Sequence, residues 1–402
     1  MSANRPRILY LSCTWPHEKS SGYRLRTLQV ARALKHVGEV HLVVAAETNG
    51  ADAIKRAASE FQVHDYIRIR GLPPEEKGLG QRLKSLTDPS SVNFHGFVGE
   101  EQARVRICQT MGNFDLVWIG GMIMASLFGP QRWPRVMLDI DDIPSAKELT
   151  RCRNDAELTA RLKAAVRALV FRRRERSLFL QFTALGVCSE ADRHYLGRGP
   201  VIHVIPNGFE PPRIEPQRAS AQAPRIGFIG LFNYRPNLEA IRWFMRTCWA
   251  QIKRDVPDAR LRLVGEHTDG PLKPAGPDVD GLGWLADPSE EIATWSAMIV
   301  PIREGGGTRV KVAEALSRKC PLVATRLGAY GYDLVDGKEI LFGDTPPAFA
   351  GACVRAIRQP AEAAARAERA WKRFLENWTC NAIAPRVWAA AEYCLGTKDA
   401  PG

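Results

Sequence analysis

Short apolar runs alternate with helix-periodic stretches along the chain. In the first half, residues 7–13, 40–45, 66–68, 116–119, 136–140, 184–188 and 201–205 read as strands. Between them, 23–37, 52–60, 98–111 and 151–182 carry apolar residues every three or four positions and read as helices. The strands are apolar almost throughout rather than at alternate positions. Both faces of their sheet are therefore covered, as in a parallel sheet flanked by helices.

The pattern stops at residues 211–224, PPRIEPQRASAQAP, where four prolines and no apolar period predict a linker. It then resumes. Strands are expected at 225–229, 261–264, 282–285, 298–300, 322–325 and 340–342, and helices at 238–253, 289–295, 310–317, 347–358, 361–375 and 384–395. The fold class that follows is α/β, with two Rossmann-like doubly wound domains facing a cleft. The expected boundaries are 1–210, a linker at 211–224, a second domain at 225–375, and a closing helical segment at 376–402. Open sheets of this kind bind ligands at the carboxyl ends of their strands.

The charge narrows the partners. A formal +12 over 402 residues attracts phosphorylated substrates, anionic lipid or nucleic acid. No nucleic-acid-binding signature accompanies it, so nucleic acid is set aside. Within 161–182 the cations Arg161, Lys163, Arg167, Arg172, Arg173, Arg174 and Arg176 interleave with Leu, Val and Phe, a pattern suited either to an anionic membrane surface or to a solvated helix face. The nine cysteines include no CxxC pair and fit a reducing cytoplasm. No stretch approaches the roughly 20 apolar residues of a membrane span, so a membrane, if met, is met at its surface.

Five stretches carry chemistry. The strongest is Glu304 to Glu314, EGGGTRVKVAE, after an apolar strand and running into a helix. Gly305, Gly306 and Gly307 let backbone approach an anion, and Arg309 and Lys311 supply charge for a diphosphate at the helix start. Glu314, one turn in, can accept from ribose hydroxyls. The bland alternative is a glycine turn with Thr308 as helix cap. The second is 227–237, GFIGLFNYRPN, a strand and a loop holding Asn233, Arg235 and Asn237, with Arg235 placed to clamp a phosphate or Asn237 to cap the next helix. The third, 20–26, offers Gly22 and Arg24 after the first strand. The fourth, 138–145, LDIDDIPS, sets Asp139 and Asp141 on one face of a strand end and Asp142 on the other. A metal, acid/base chemistry, acceptor binding through Asp141 or Asp142, and helix capping all stay open there. The fifth is Pro206-Asn-Gly beside the linker. His95 stands alone on a loop.

Taken together, these residues resemble the retaining GT-B glycosyltransferases of family 4, in a branch with a GGGTRxKxxEA motif. The resemblance spans nearly the whole chain. Its most specific elements are Ile205-Pro-Asn-Gly, Gly230 with Arg235, Leu263-Val-Gly265, Gly281-Leu-Gly-Trp-Leu285, Gly306 to Ala315 and Pro321 to Thr325. It implies that Arg235 and Lys311 hold the donor diphosphate, Glu314 binds the donor ribose, the backbone at Trp284 and Leu285 faces the base, and Gly22 lies beneath the phosphates. It implies a nucleotide-sugar donor (UDP-, GDP-, ADP- or dTDP-linked), a glycan or lipid-linked acceptor, no metal and no further cofactor. It also implies that the last helix crosses back to the first domain. One departure stands out: eight positions before Glu314, where the family carries a second glutamate, is Gly306, and the nearest acid is Glu304. Two other readings remain: a GT-B scaffold that binds nucleotide sugar without turnover, and a GT-B sugar epimerase, which would use carboxylates such as Asp139 to Asp142.

Overall fold

The computed structural model describes residues 5–16, 22–47, 50–71, 97–128, 135–154, 157–197 and 199–396. The chain divides into two units, Met1–Asn207 with Ile383–Gly402, and Gly208–Ala382.

The first unit is built on eight strands: β1 (Arg7–Ser12), β2 (Glu39–Ala46), β3 (Gln62–Gly71), β4 (Phe97–Gly99), β5 (Leu116–Gly120), β6 (Val136–Ile140), β7 (Ala184–Val187) and β8 (Val201–Val204). Their order is β4-β3-β2-β1-β5-β6-β7-β8, parallel except for β4 against β3. The two-residue side-chain period sorts each strand between two cores. Leu9 and Leu11 join Val43, Val117 and Ile119 on one face. Ile8 and Tyr10 join Leu42, Val44 and Trp118 on the other. The helices Glu101–Thr110 and Met122–Phe128 cover the first face, and Gly22–Val37 covers the second. The final helix, Cys380–Gly396, adds Ile383, Val387, Ala390, Ala391 and Cys394 to that second core. Trp388 Nε1 also donates to the Ala33 carbonyl at 2.9 Å.

Several elements of this unit differ from the sequence expectation, among them two unanticipated helices, Met122–Phe128 and Glu190–Leu196. The stretch 98–111 opens as β4, because Phe97–Gly99 pairs antiparallel with the end of β3, and its helix starts only at Glu101. The stretch 151–182 holds parts of two helices, Pro144–Asn154 and Leu158–Phe179.

The second unit has six strands, all parallel: β9 (Arg225–Ile229), β10 (Arg260–Val264), β11 (Val279–Gly281), β12 (Ala297–Val300), β13 (Leu322–Ala324) and β14 (Leu341–Phe342), in the order β11-β10-β9-β12-β13-β14. Ile226, Phe228, Leu261 and Ile299 pack on one face, and Met298, Val300 and Ala324 on the other. Gly227 has no side chain for a steric reason: a Cβ there would lie 1.9 Å from the buried Trp295 ring.

Residues 282–285, expected as a strand, are a loop beyond β11. Gly283 adopts φ +67, outside the extended region, and its N–H donates to Thr268 Oγ1 at 3.0 Å. The proline-rich stretch 211–224 is tied into the second unit. Arg218 donates to the carbonyls of Ile292, at 2.8 Å, and Trp295, and Ala219 N–H donates to Ala293 O at 3.0 Å.

Candidate functional site

In the second unit the chain leaves β9 through β10 to β11, returns to lay β12 on the opposite side of β9, and continues to β14. The β9/β12 pair is thus the point of reversal. Being parallel, the two strands send the loops 230–234 and 301–309 off the same edge. Ligands of open α/β sheets bind at such a crevice.

The glycine loop needs its glycines. Gly305 sits at φ +114 and Gly307 at φ +67, conformations that residues with a Cβ avoid. The helix Val310–Ser317 then begins, with Arg309 as its cap residue and no side-chain cap bond, so Thr308 does not cap it. The Arg309 guanidinium folds back to donate to the carbonyls of Gly306 and, at 3.5 Å, Glu304, while Tyr332 OH donates to the Arg309 carbonyl at 3.0 Å. Arg309, expected on a diphosphate, here braces the loop.

Lys311 is the better-placed cation. Its Nζ donates to Asn237 Oδ1 at 2.6 Å and lies 4.1 Å from the centroid of the Phe228 ring. Desolvation, then the neighbouring Arg309 charge, push the Lys311 ammonium down to about 7, and only Glu314 opposes them. The positive end of the helix dipole disfavours a cation at this second helical position as well. Each of these costs is relieved by an anion. Asn237 is buried, and its Nδ2 donates to the Leu231 carbonyl at 2.9 Å. Tyr234, not Asn237, is the cap residue of the helix Arg235–Phe244. Asn237 therefore ties the 230–234 loop to the first turn of the helix Val310–Ser317. A Cβ on Gly230 would lie 2.7 Å from Asn237 Nδ2 and 3.1 Å from Lys311 Nζ, so glycine keeps this point open.

Arg235 opens its helix with an exposed side chain, and its Nε stands 3.4 Å from Glu304 Oε1. Asn233 is exposed in the same loop. Glu314 lies one turn inside its helix, and Arg318 Nη1 is 3.2 Å from its Oε1. Desolvation raises the Glu314 carboxyl above its ordinary range, against the pull of Arg318 and Lys311. Trp284 is 58% exposed, whereas Leu285 packs against the core. Arg235, Glu304, Arg309, Lys311 and Glu314 thus gather around the β9/β12 edge.

In the first unit the reversal falls between β1 and β5. Gly22 begins the helix Gly22–Val37, and Arg24 on its first turn is exposed. The carboxylate cluster is divided by environment. Asp139 is buried in a bidentate pair with Arg26, Oδ1 to Nη2 at 2.5 Å and Oδ2 to Nε at 3.1 Å. Arg26 also donates to Ile205 O and Asn207 Oδ1, both at 2.9 Å. Asn207 in turn donates from Nδ2 to Asp141 Oδ1 at 2.8 Å, and Cys188 Sγ donates to the same oxygen at 3.2 Å. These bonds hold the strand ends of β6 and β8 and leave little carboxylate for acid/base work, which weakens the epimerase reading. Asp142 is half-exposed, 3.8 Å from Lys147 Nζ. His95 and residues 20 and 21 lie outside the described residues. Among the described residues no group of three His, Cys, Asp or Glu is arranged to hold a metal ion.

Comparison with solved structures gives the fold. Sucrose-phosphate synthase from Thermosynechococcus elongatus matches with a TM-score of 0.65 at 16% identity, over 95% of this chain and 97% of that one. HepE of Anabaena, in complex with UDP and glucose, matches at 0.60 and 15%, over 96% and 99%. TarM of S. aureus, in a complex that includes UDP, matches at 0.63 and 10%, over 96% and 99%. No curated protein matches the sequence. Residues 223–359 match the family Glycosyl transferases group 1. The chain therefore carries a group 1 glycosyl transferase domain over residues 223–359 and shares the GT-B fold of these glycosyltransferases. More particularly, the β9/β12 crevice and its two loops lie within a group 1 glycosyl transferase domain that fills most of the second unit.

Proposed function

We propose that the chain is a retaining glycosyltransferase that moves a sugar from a nucleotide-sugar donor to a glycan or lipid-linked acceptor hydroxyl. The observation that carries this is the Lys311 ammonium held at the β9/β12 reversal by Asn237, half-buried and partly neutralised until an anion arrives. The donor diphosphate is that anion. Lys311 and Arg235 neutralise the leaving nucleoside diphosphate as its charge develops, which is electrostatic catalysis by side chains placed beforehand. The bond between the sugar's anomeric carbon and the phosphate oxygen breaks. The acceptor oxygen bonds to that carbon on the same face, and the acceptor proton passes to the departing phosphate.

Glu314 binds the donor ribose, and Trp284 and Leu285 flank the base. Gly306 stands where relatives of this pattern carry a glutamate, and the loop backbone at Gly305 to Gly307 takes over that contact with the donor. No metal enters this scheme, and turnover that survives EDTA is expected. UDP appears in the HepE and TarM complexes, so UDP-sugars are the first donors to try.

A thermal-shift panel of UDP-, GDP-, ADP- and dTDP-sugars tests the donor site. One donor raising the midpoint while the free sugars do not is the expected result. If none raises it, the donor assignment falls. The configuration of the product's anomeric carbon, read by NMR, tests retention.

A further inference from the structure

The helix Leu158–Phe179 is apolar on two opposite sides. Ala164, Ala168, Phe171 and Phe179 turn inward to the first unit. Leu158, Leu162, Val166 and Leu169 are 68%, 60%, 52% and 74% exposed. At about 100° per residue these four fall within one stripe on the side away from Ala164 and Ala168. An exposed stripe of four large aliphatic side chains is costly in water and marks a binding face.

The residues beside the stripe identify the occupant. Arg161, Lys163, Arg167, Arg173 and Arg176 are all exposed. The one acid in the helix, Glu175, is fully buried, where Ser145 N–H and Oγ donate to it at 2.7 and 2.5 Å. Five cations therefore flank the aliphatic row with no exposed carboxylate on the helix to oppose them. A second copy of this face would bring the same cations together and is disfavoured. No helix among the described residues is long and apolar enough to cross a membrane. We infer that this helix lies flat on an anionic lipid surface, its four aliphatic side chains among the acyl chains and its cations at the headgroups.

The test is sedimentation of the full chain with vesicles of phosphatidylcholine alone or with phosphatidylglycerol. Expected is binding to the anionic vesicles that weakens as salt rises, and weakens roughly 25-fold, about fivefold for each cation removed, in an Arg167→Gln, Arg173→Gln variant. A Leu162→Ser, Leu169→Ser variant keeps the charge and should lose partitioning on the order of 100-fold. Both substitutions are solvent-facing, so far-UV circular dichroism and nucleotide-sugar binding should be unchanged. Equal binding to neutral and anionic vesicles overturns the inference. So does a serine variant that binds as the parent does, or a serine variant whose only defect is loss of self-association. The donor site in the other unit stands or falls separately.

Discussion

If Lys311 meets the donor diphosphate, binding must take up a proton. In the free protein its ammonium titrates near 7, held down by burial and by Arg309, and opposed by Glu314. Asn237 Oδ1 and the Phe228 ring are its nearest neutral partners. A pyrophosphate diester restores the charge and lifts the bound lysine towards its ordinary range. The protonated fraction of the free site falls from about nine-tenths at pH 6 to about 3% at pH 8.5 for a group at 7. Donor affinity should therefore drop roughly 30-fold across that window, about 2 kcal/mol. The diester itself does not titrate there.

Calorimetry in buffers of different ionisation enthalpy would read the uptake directly. It should approach one proton at pH 8.5 and vanish near pH 5.5. Lys311→Arg keeps the charge without titrating and should bind with no such pH dependence. The unliganded protein should show the opposite trend in stability. Its unfolded lysine binds more protons than the folded one between about 7 and 10.5, so stability rises with pH there. Flat affinity and no proton uptake in the parent protein would refute the assignment of Lys311 to the diphosphate.

Other outcomes follow from the same geometry. Asn237→Asp puts a carboxylate 2.6 Å from Lys311 and should move the pH midpoint of donor binding up by more than one unit. Glu314→Ala should cost about 1–3 kcal/mol by removing the carboxylate that faces Arg318, which then keeps only the Ser289 and Ser317 hydroxyls as acceptors; adding Arg318→Ala should recover stability in urea melts but not turnover. Arg26→Ala strands buried Asp139 and should lower the stability of the first unit by about 3–5 kcal/mol, measured by chemical denaturation. Burial pushes Glu175 up to about 7, so the folded state binds the extra proton and loses stability as pH rises from about 4.5 to 7. Glu175→Gln should thus stabilise by up to about 3 kcal/mol at pH 8 and change little at pH 4, read as a shift in Tm.

What could be read from the chain depended on how local its cause was. The helix 310–317 was legible to the residue, because apolar spacing and the glycines before it are neighbours in sequence. Lys311 and Glu314 share a helix face for the same reason. The bond from Lys311 to Asn237 spans 74 positions and is set by β12 lying beside β9, which no local pattern reports. Asn237 accordingly read as a cap. Asp139 looked available for chemistry, but Arg26 claims it across 113 positions. Arg309 read as a phosphate ligand on composition, whereas the loop's own carbonyls compete for it. The 282–285 run was misjudged because Gly283 breaks an otherwise apolar run by its dihedral angle. The exposed row on Leu158–Phe179 was half visible: its cations showed in the sequence, but which leucines face water did not.

The second core of the first unit contains side chains from both ends of the sequence, since Ile383, Val387 and Cys394 pack with Ile8, Tyr10 and Leu34. Synthesis proceeds from one end only. The first unit is therefore still missing one apolar flank after the whole of Gly208–Ala382 has been synthesised. The first unit must wait for the last helix, leaving a nascent intermediate for chaperones to shield. Closure of the first unit's second core has to follow synthesis of the helix Cys380–Gly396.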